Sequence, residues 1–402
     1  MTTSQWASVR LSSLLDESFA GAWGDSPSDS REGNVWVLRA TNIDGEGGID
    51  YSAPAPRVFP TKDVLRKRLV QGDLIVEASG GGPGTPVGRA ALFNGAAAHV
   101  DYACSNFFRV LRPKSDSVYS AYLVQFLVKV YRSSAIWRYQ QQTTGLVNLK
   151  LKDFLEQPVL LPPMSEQRRI VEVVEAMSAQ ERAIEASIAK LESLSAAAMA
   201  ELWDLECGTF EEVIDFGPQN GIYKPGSSYG LEGTPIVRID SFRGGPSDFT
   251  RNLLRVSLTL SEVERYGLAA GDVLINRVNT PELVGKSTAV GALVEPVVFE
   301  SNMMRCKLLT DRAVPAFVET WLGSPTVKRY FRQRAKSAIS QASINGSDVR
   351  GCPFPRLDVA RQLEFLDRLA MVREQQRLER AELAKLSTLK RGVIDDLLGG
   401  TS

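Results

Sequence analysis

Two long stretches constrain this 402-residue chain more than any other feature: neither contains proline, and the second contains glycine only near its end, at Gly392. The first follows Pro163, where Ser165 is placed to cap a helix. Its apolar residues alternate spacings of four and three, which is typical of a coiled-coil seam: Ile170, Val174, Met177, Ile184, Ile188, Leu191, Ala198, Leu202 and Leu205. A helix of roughly 40 residues is ~60 Å long. It cannot bury such a stripe against itself, so it needs a partner.

The second stretch, residues 358–398, supplies that partner. Its seam has the same spacing: Phe365, Leu369, Val372, Gln376, Glu379, Leu383, Leu386, Lys390, Val393 and Leu397. Antiparallel pairing sets Glu181 beside Lys390 and Ser195 beside Gln376. Parallel pairing also aligns these polar positions, but it places Lys390 against Ser195. Charge complementarity and two-fold symmetry favour the antiparallel pair; the alternative reading of these polar positions is a solvated flank.

The two halves of the chain are alike at an offset of about half its length, which indicates a duplication. We align Gly72-Asp73-Leu74-Ile75 with Gly271-Asp272-Val273-Leu274 and Val87-Gly88-Arg89 with Val284-Gly285-Lys286. Further matches join Val37 to Val237, Ser105–Arg109 to Ser301–Arg305, Val147-Asn148 to Ile344-Asn345 and Gln167 to Gln362. The order is the same in both halves, so the copies should be related by a pseudo-two-fold axis.

Each copy reads as short strands, then a helix, a polar loop and the long helix. The predicted strands are Val35–Leu38, Leu74–Glu77, Ala90–Phe93 and Phe107–Leu111, then Ile236–Ile239, Val273–Asn276, Thr288–Val290 and Met303–Leu308. The predicted helices are Ser117–Tyr139 and Val314–Lys336, the latter interrupted at Ser324-Pro325. The fold class is therefore α+β, with two similar mixed α/β domains joined by an antiparallel pair of long coiled-coil helices. We expect domains at 1–157 and 207–357, and spacer helices within 158–206 and 358–402.

Charge is unevenly distributed although the formal net charge is zero. Residues 165–206 carry 4 basic and 9 acidic side chains, whereas residues 207–357 carry 18 and 15. Mildly basic bodies allow polyanion binding but do not establish it. The chain has no apolar run of membrane-spanning length and no signal-peptide core. Its four scattered cysteines are expected to be reduced and mostly buried, in a cytoplasmic protein.

Catalytic and cofactor motifs are not found in the sequence. The only histidine, His99, is more often structural beside a strand, and a zinc site is improbable. The string Val284–Thr288 resembles the end of a P-loop, but position 280 is Thr where that motif needs glycine. The glycine-rich stretch Gly80–Gly84 fails the G-x-G-x-x-G frame and is expected to be a flexible turn. We therefore expect no catalytic residue, metal or cofactor in this chain.

One protein family combines these features. The phrase Leu161–Ile170 (LPPMSEQRRI) and the strand entries Gly72–Ile75 and Gly271–Leu274 resemble the specificity subunit of type I restriction–modification enzymes. Thr144–Leu149 is similar to the polar loop before that family's spacer helix. The resemblance covers essentially the whole chain. The second copy departs from the pattern at Pro353–Asp358, which puts in doubt only how its helix begins.

The resemblance implies a non-catalytic DNA reader. Each target-recognition domain would read one half of a bipartite, asymmetric site on double-stranded DNA, and the helix pair would set the spacing between the halves. The helices would also dock two methyltransferase subunits, which would carry S-adenosylmethionine, and a motor-nuclease subunit would join that core. The alternative is a helical assembly protein with two protein-binding bodies and no DNA readout. Salt-dependent retention on duplex DNA would separate the two.

Phosphate contacts need Lys, Arg and small polar side chains, while base edges need Arg, Lys, Asn and Gln. In the first body we predict the loop that follows the helix and its surroundings: Ser79, Arg89, Arg138, Gln140, Gln141, Gln142, Thr143, Lys150 and Lys152. In the second body we predict Arg277, Asn279, Lys286, Lys328, Arg329, Arg332, Arg334, Lys336, Gln341 and Asn345. For each residue taken alone, a solvated surface side chain is the competing interpretation.

Overall fold

The structure is a computed structural model that describes residues 6–82, 84–95, 100–143, 145–242, 249, 253–338 and 341–399. The chain divides into two compact units. Unit 1 comprises Met1–Glu185 and Ala381–Ser402, and unit 2 comprises Ala186–Arg380. Each unit therefore contains one globular body together with part of each long helix. The domain bounds expected from the sequence, which treat each long helix as a separate segment, stay a prediction.

Unit 1 is built from short strands around one central helix. Its strands are β1 Ala7–Arg10, β2 Leu15–Ala20, β3 Val35–Leu38, β4 Ala55–Arg57, β5 Leu74–Glu77, β6 Ser79–Gly81, β7 Ala90–Leu92, β8 Asp101–Cys104, β9 Phe108–Pro113, β10 Gln140–Thr143, β11 Leu146–Leu149 and β12 Pro158–Leu161. Its helices are α1 Thr61–Lys67, α2 Ser120–Arg132, α3 Leu151–Leu155 and the first part of α4 Met164–Glu201, with a 3₁₀ turn at Ser134–Tyr139.

The central sheet of unit 1 has the order β2-β9-β5-β7 and is antiparallel throughout. Successive side chains of β5 point to opposite faces, as in any strand. Leu74 and Val76 pack with α2 and the start of α4, while Ile75 joins a second cluster that contains Phe93 and Tyr102. Since both faces are covered, β5 is fully buried.

Unit 2 repeats this plan. Its strands are β13 Cys207–Thr209, β14 Ile214–Asn220, β15 Tyr229–Gly230, β16 Thr234–Val237, β17 Leu254–Val256, β18 Val273–Asn276, β19 Val278–Asn279, β20 Ser287–Ala289, β21 Val298–Phe299, β22 Met303–Leu308, β23 Lys336–Ala338, β24 Gln341–Ser343 and β25 Pro353–Pro355. Its helices are α5 Leu260–Tyr266, α6 Pro315–Leu322, α7 Pro325–Arg334, α8 Gly346–Arg350 and the first part of α9 Val359–Leu397. The break predicted at Ser324-Pro325 is confirmed, and Ser324 caps α7.

The duplication is confirmed by matching sheets. The order β14-β22-β18-β20 in unit 2 reproduces β2-β9-β5-β7 in unit 1. In both units one parallel pairing occurs at the same place, β3 with β8 and β16 with β21. Strands β3, β5, β18 and β22 have the bounds predicted from the sequence.

Two of the predicted matches between the copies are wrong in register. Ile75 pairs with Val110 in unit 1, and its counterpart Leu274 pairs with Arg305 in unit 2. Arg305 therefore corresponds to Val110 and not to Arg109. Likewise the backbone N–H groups of Leu149 and Ile344 donate to equivalent carbonyls, so Ile344 does not correspond to Val147. The first error is a one-residue slip, which moves a side chain to the opposite face of a strand. The second is a two-residue slip, which keeps the face. Residue identity alone did not reveal either.

The start of the first long helix differs from the prediction, because Ser165 is not its N-cap. Helix α4 starts at Met164, so Ser165 lies inside the first turn and does not precede it. The backbone N–H groups of Glu166 and Gln167 donate to the carbonyl of Pro163 instead. Helix α9 starts at Val359, and Asp358 accepts the backbone N–H of Arg361 at 2.8 Å. Asp358 is thus the N-cap of α9.

Within each unit, α4 and α9 are paired and run antiparallel. In unit 1 the Lys390 ammonium lies 2.7 Å from the Glu181 carboxylate, which also accepts the Ser387 hydroxyl at 2.7 Å. In unit 2, further along α4 and further back along α9, Ser187 donates to Glu379 at 2.9 Å. The predicted antiparallel register at Glu181 is confirmed. The Ser195 hydroxyl is buried, and its predicted proximity to Gln376 stays a prediction.

Within the described residues, no helix is long and apolar enough to cross a membrane. Across the same residues, no group of three or more His, Cys, Asp or Glu side chains is placed to hold a metal ion. The four cysteines are unpaired, and three of them are buried. His99 lies outside the described residues.

Candidate nucleic-acid interface

Each unit presents a small three-stranded sheet that carries some of the residues predicted to contact DNA. In unit 1 its order is β10-β11-β6, with Gln141 opposite Asn148 and Asn148 opposite Ser79. In unit 2 its order is β23-β24-β19, with Lys336 opposite Ser343 and Ser343 opposite Val278. We call these the tip sheets. Their shared pairing places Gln141 and Lys336 at equivalent positions.

The tip sheet of unit 1 and its flanks carry exposed polar side chains. The exposed ones are Arg138, Gln141, Gln142, Lys150 and Lys152. Lys150 and Lys152 follow β11 directly, and Arg138 precedes β10. The side chain of Thr143 and the whole of Thr144 lie outside the described residues. The five exposed residues can reach a ligand without rearrangement.

Gln140 and Ser79 have partners inside unit 1. The Gln140 side chain accepts the backbone N–H of Val87 at 2.9 Å and donates to the carbonyls of Val87 and Ile136. The Ser79 hydroxyl donates to Asn148 at 2.5 Å. These bonds fix the tip sheet against the turn that precedes β7, so the two residues position their neighbours.

Arg89 is also committed to the protein. Its guanidinium lies 3.0 Å from the Glu77 carboxylate and reaches the carbonyls of Ala40 and Ile43. The hydrogen bond to Glu77 raises the pKa of Arg89. The Arg89 guanidinium bonds both to residues 40–43 and to Glu77 on the central sheet, and it therefore fixes that segment to the sheet.

In unit 2 the exposed positive charge lies mainly on α7. Lys328, Arg329, Arg332 and Arg334 are exposed on that helix, and Lys336 and Gln341 are exposed on the tip sheet beyond it. The Arg334 guanidinium lies 3.8 Å from the centre of the Tyr330 ring. A guanidinium held over an aromatic face keeps its charge and loses little conformational freedom. The arrangement presents a compact basic surface.

The other residues predicted in unit 2 are internal or act as caps. The Lys286 ammonium donates to the carbonyls of Ile239 at 2.8 Å and Phe242 at 2.6 Å, and burial lowers its pKa. Asn279 is buried, and Arg277 donates to the carbonyl of Ser301 at 3.3 Å. Asn345 caps α8 through the backbone N–H groups of Ser347 and Asp348. The sequence Asn-Gly-Ser-Asp is a capping box and could have indicated this role.

The glycine turn that resembles a P-loop has a packing explanation. Gly88 and Gly285 both have positive φ, and a Cβ atom there would collide with Ile136 and Phe331 respectively. The same turn thus recurs in both copies because a helix packs against it. Its glycine does not indicate phosphate binding.

Phe107 is a surface residue that the sequence analysis did not select. Its side chain is 45% exposed, whereas its neighbour Phe108 is buried. Phe107 directly precedes β9, whose first residue is Phe108, and consecutive residues of an extended segment face opposite sides. That alternation was the available signal.

Comparison with known proteins agrees with this architecture. The family model for the type I restriction modification DNA specificity domain matches residues 65–193. The type I restriction enzyme EcoKI specificity subunit of Escherichia coli K12 is 26% identical over 363 residues, which is 83% of this chain and 74% of that protein. The HsdS subunit from Thermoanaerobacter tengcongensis superposes with a TM-score of 0.54 at 18% identity, covering 98% of this chain and 97% of the other. A chain of a type I R-M system, studied for complex assembly and conformational transition, gives 0.59 at 17% identity and covers 98% of both chains.

Residues 65–193 therefore match the type I restriction modification DNA specificity domain. Over most of its length the chain is similar to the EcoKI specificity subunit. The likeness to the solved structures shows that nearly the whole chain has the fold of the HsdS subunit.

Proposed function

We propose that this chain is the DNA sequence-specificity subunit of a type I restriction–modification complex and that each body reads one half of a bipartite, asymmetric target. The observation that carries the proposal is the pair of tip sheets, built alike but bearing different exposed side chains. At equivalent positions unit 1 has the neutral Gln141 and unit 2 has the cationic Lys336. Two sheets with the same strand order but different exposed side chains are suited to two half-sites of different sequence.

We divide the predicted site residues by what their side chains contact. Direct DNA contacts are assigned to the exposed set: Arg138, Gln141, Gln142, Lys150, Lys152, Lys328, Arg329, Arg332, Arg334, Lys336 and Gln341. Positioning roles are assigned to side chains already bonded or buried within the protein: Ser79, Arg89, Gln140, Arg277, Asn279, Lys286 and Asn345. Thr143 is proposed as a contact on sequence grounds alone.

The long helices are assigned to spacing and assembly. Within unit 2, α9 exposes apolar side chains at Leu363, Met371 and Leu378, the second of them 66% exposed. Exposed apolar side chains along a helix suit a protein partner better than DNA. Methyltransferase subunits that carry S-adenosylmethionine fit this role, with a motor-nuclease subunit joining them. This chain then contributes no catalysis of its own and works beside DNA in the cytoplasm.

The basic face of α7 gives a direct test of DNA binding. We expect the double variant Arg332→Ala, Arg334→Ala to bind duplex DNA more weakly and with less salt dependence. Each lost phosphate contact lowers the slope of log K against log salt by about 0.9, so the slope should fall by about 1.8. Fluorescence anisotropy with labelled duplex over a salt series measures it.

The matched control removes the same charge from a surface assigned to the helix pair. Arg361 and Arg368 are exposed on α9, and the variant Arg361→Ala, Arg368→Ala should leave the slope unchanged. Equal slopes for both double variants would remove α7 from the DNA footprint. Salt-independent retention of the wild-type chain would favour the assembly protein instead.

A further inference from the structure

Unit 1 contains a cavity whose lining suits a planar heteroaromatic ligand. The cavity measures about 350 Å³ and opens between Trp23, Arg39, Thr41, Asn106 and Phe107. Ligand pockets in proteins start at about 300 Å³ and combine apolar walls with a few polar groups. We call it the aromatic cavity. Its volume and composition are those of a binding site for one small planar group.

Two aromatic side chains form the walls. The Phe107 ring is 45% exposed. The Trp23 ring is held by the Arg57 guanidinium, which lies 4.0 Å from the ring centre, and Arg57 also donates to Ser26. Aromatic side chains at a surface stack favourably against nucleobases. The walls are thus suited to the flat faces of a base.

Polar groups at the cavity can meet the edge of such a base. The Nε of Arg39 is buried and has no hydrogen-bond partner, although another nitrogen of the same guanidinium donates to the carbonyl of Ala53 at 3.0 Å. A buried donor without a partner is costly, and a ligand acceptor would satisfy it. Asn106 supplies an amide with both donors and an acceptor, the group that pairs with adenine edges.

The cavity adjoins the tip sheet of unit 1. The carbonyl of Phe107 accepts the backbone N–H groups of Ala78 and Ser79, and Ser79 is the first residue of β6. A Cβ atom at the exposed Gly80 would lie 3.6 Å from the Phe107 ring. The ring therefore borders the strand that belongs to the proposed DNA-binding surface. Ala40 and Thr41 also line the cavity, and Arg89 bonds to the carbonyl of Ala40.

Among the described residues, unit 2 differs from unit 1 at one of the two aromatic walls. The carbonyl of Asn302 accepts the corresponding pair of N–H groups, from Arg277 and Val278, so Asn302 stands where unit 1 has Phe107. The position of Trp23 is taken by Tyr223, which is 75% exposed. Unit 2 thus keeps an aromatic residue at the Trp23 position but not at the Phe107 position, and it serves as an internal control.

We propose that the aromatic cavity receives one nucleobase of the target, swung out of the duplex, when unit 1 binds its half-site. The inference rests on the proposed function, since it needs DNA on the tip sheet. A base inside a duplex cannot enter a cavity, and extruding it costs a few kcal/mol for unpairing and unstacking. Stacking on Phe107 and Trp23, together with the Arg39 and Asn106 contacts, offsets that cost.

The test uses the full chain and duplexes of its mapped target, with 2-aminopurine replacing one base at a time. Its fluorescence rises when the base leaves the stack. We expect a several-fold rise at one position in one half-site, and loss of that rise in Phe107→Ala. A mismatch opposite that base weakens its pairing and should tighten wild-type binding by about tenfold. Phe107→Ala should gain little from the mismatch.

Matched variants separate the site from general DNA binding. Phe107→Tyr should keep the fluorescence rise, and Tyr223→Ala in unit 2 should leave it unchanged. Phe107 carries no charge, so the salt slope of Phe107→Ala should equal that of the wild type. No rise at any position of a bound duplex, or a rise that persists in Phe107→Ala, would overturn this inference and leave the proposed function intact. Failure of the wild-type chain to bind the duplex would overturn both.

Discussion

One buried glutamine near the start of each long helix connects that helix to the body that precedes it in the chain. Gln167 accepts the backbone N–H of Tyr119 at 2.8 Å and donates to the carbonyl of Pro162 at 2.9 Å. Its counterpart Gln362 accepts the backbone N–H of Val314 at 2.9 Å and donates to Leu357. Tyr119 and Val314 are the N-cap residues of α2 and α6. The same amide thus satisfies a helix terminus in both copies.

Replacing this amide should destabilise unit 1. Gln167→Leu leaves the Tyr119 N–H and the Pro162 carbonyl without their partner in a buried place, and we expect a loss of about 3 kcal/mol in the free energy of unfolding. Urea denaturation followed by far-UV circular dichroism measures it. Gln333→Leu, at an exposed position of α7, should change stability by less than about 0.5 kcal/mol. Equal changes in the free energy of unfolding for the two variants would show that the Gln167 amide contacts contribute nothing to stability.

A residue's role can be read from the sequence where its immediate neighbours determine it. Asp73 and Asp272 each follow a glycine and accept the backbone N–H group of the residue three positions earlier, which is a local turn pattern. Arg89 and Lys286 were selected as surface cations, yet their partners come from distant parts of the chain. Nothing local to either residue reveals such a partner.

At the scale of elements, the spacing of apolar residues predicted the long helices, and the polar interruptions predicted their direction. Burial acts to raise the pKa of Glu181, but hydrogen bonds from Lys390 and Ser387 outweigh it, so the pKa lies below the ordinary 4.5. The Lys390 and Glu181 side chains are only 12% and 15% exposed. A lowered carboxylate pKa means that the contact stabilises the folded state above pH 4.5 and is lost as the pH falls through the lowered value.

The lowered pKa of Glu181 predicts that the stability contributed by this contact depends on pH. Glu181→Gln should lower the free energy of unfolding by about 2 kcal/mol at pH 7. The difference from the wild type should shrink as the pH falls from 4.5 through the lowered pKa of the folded state, because Glu181 becomes protonated first in the unfolded chain and then in the folded one. Denaturant midpoints at several pH values measure it. Glu192→Gln, in an exposed pair with Arg380, should show little pH-dependent difference. A constant difference for Glu181→Gln would contradict the account.

Strand register was the element-scale property that the sequence did not determine. The motif Ser-Asn-x-x-Arg occurs in both copies, but Arg109 bonds to Ser18 at the edge of its sheet while Arg305 is buried beside Asp272. Pairing with neighbouring strands decides the register, and those neighbours are far away in sequence. The long helices could be predicted because the spacing of their apolar residues is visible in the local sequence.

At the scale of the whole molecule, the two copies share their strand order but differ in side chains. The central sheets and tip sheets match strand for strand. The ion pair of Glu77 and Arg89 in unit 1 is replaced in unit 2 by Asn276 and a Lys286 that bonds to carbonyls. Divergence of this kind is expected of two domains that keep a fold and read different DNA sequences. The duplication could be seen in the sequence, but the aromatic cavity, which combines three separate segments, could not.

The most direct test of the central claim is base-resolution mapping of DNA methylation in the source genome, with and without this gene. We expect methylation at one bipartite motif, two short unlike half-sites separated by a fixed unread spacing, to disappear without the gene. It should return when the wild-type gene is restored. An unchanged methylation map, or loss of a continuous undivided motif, would contradict the account.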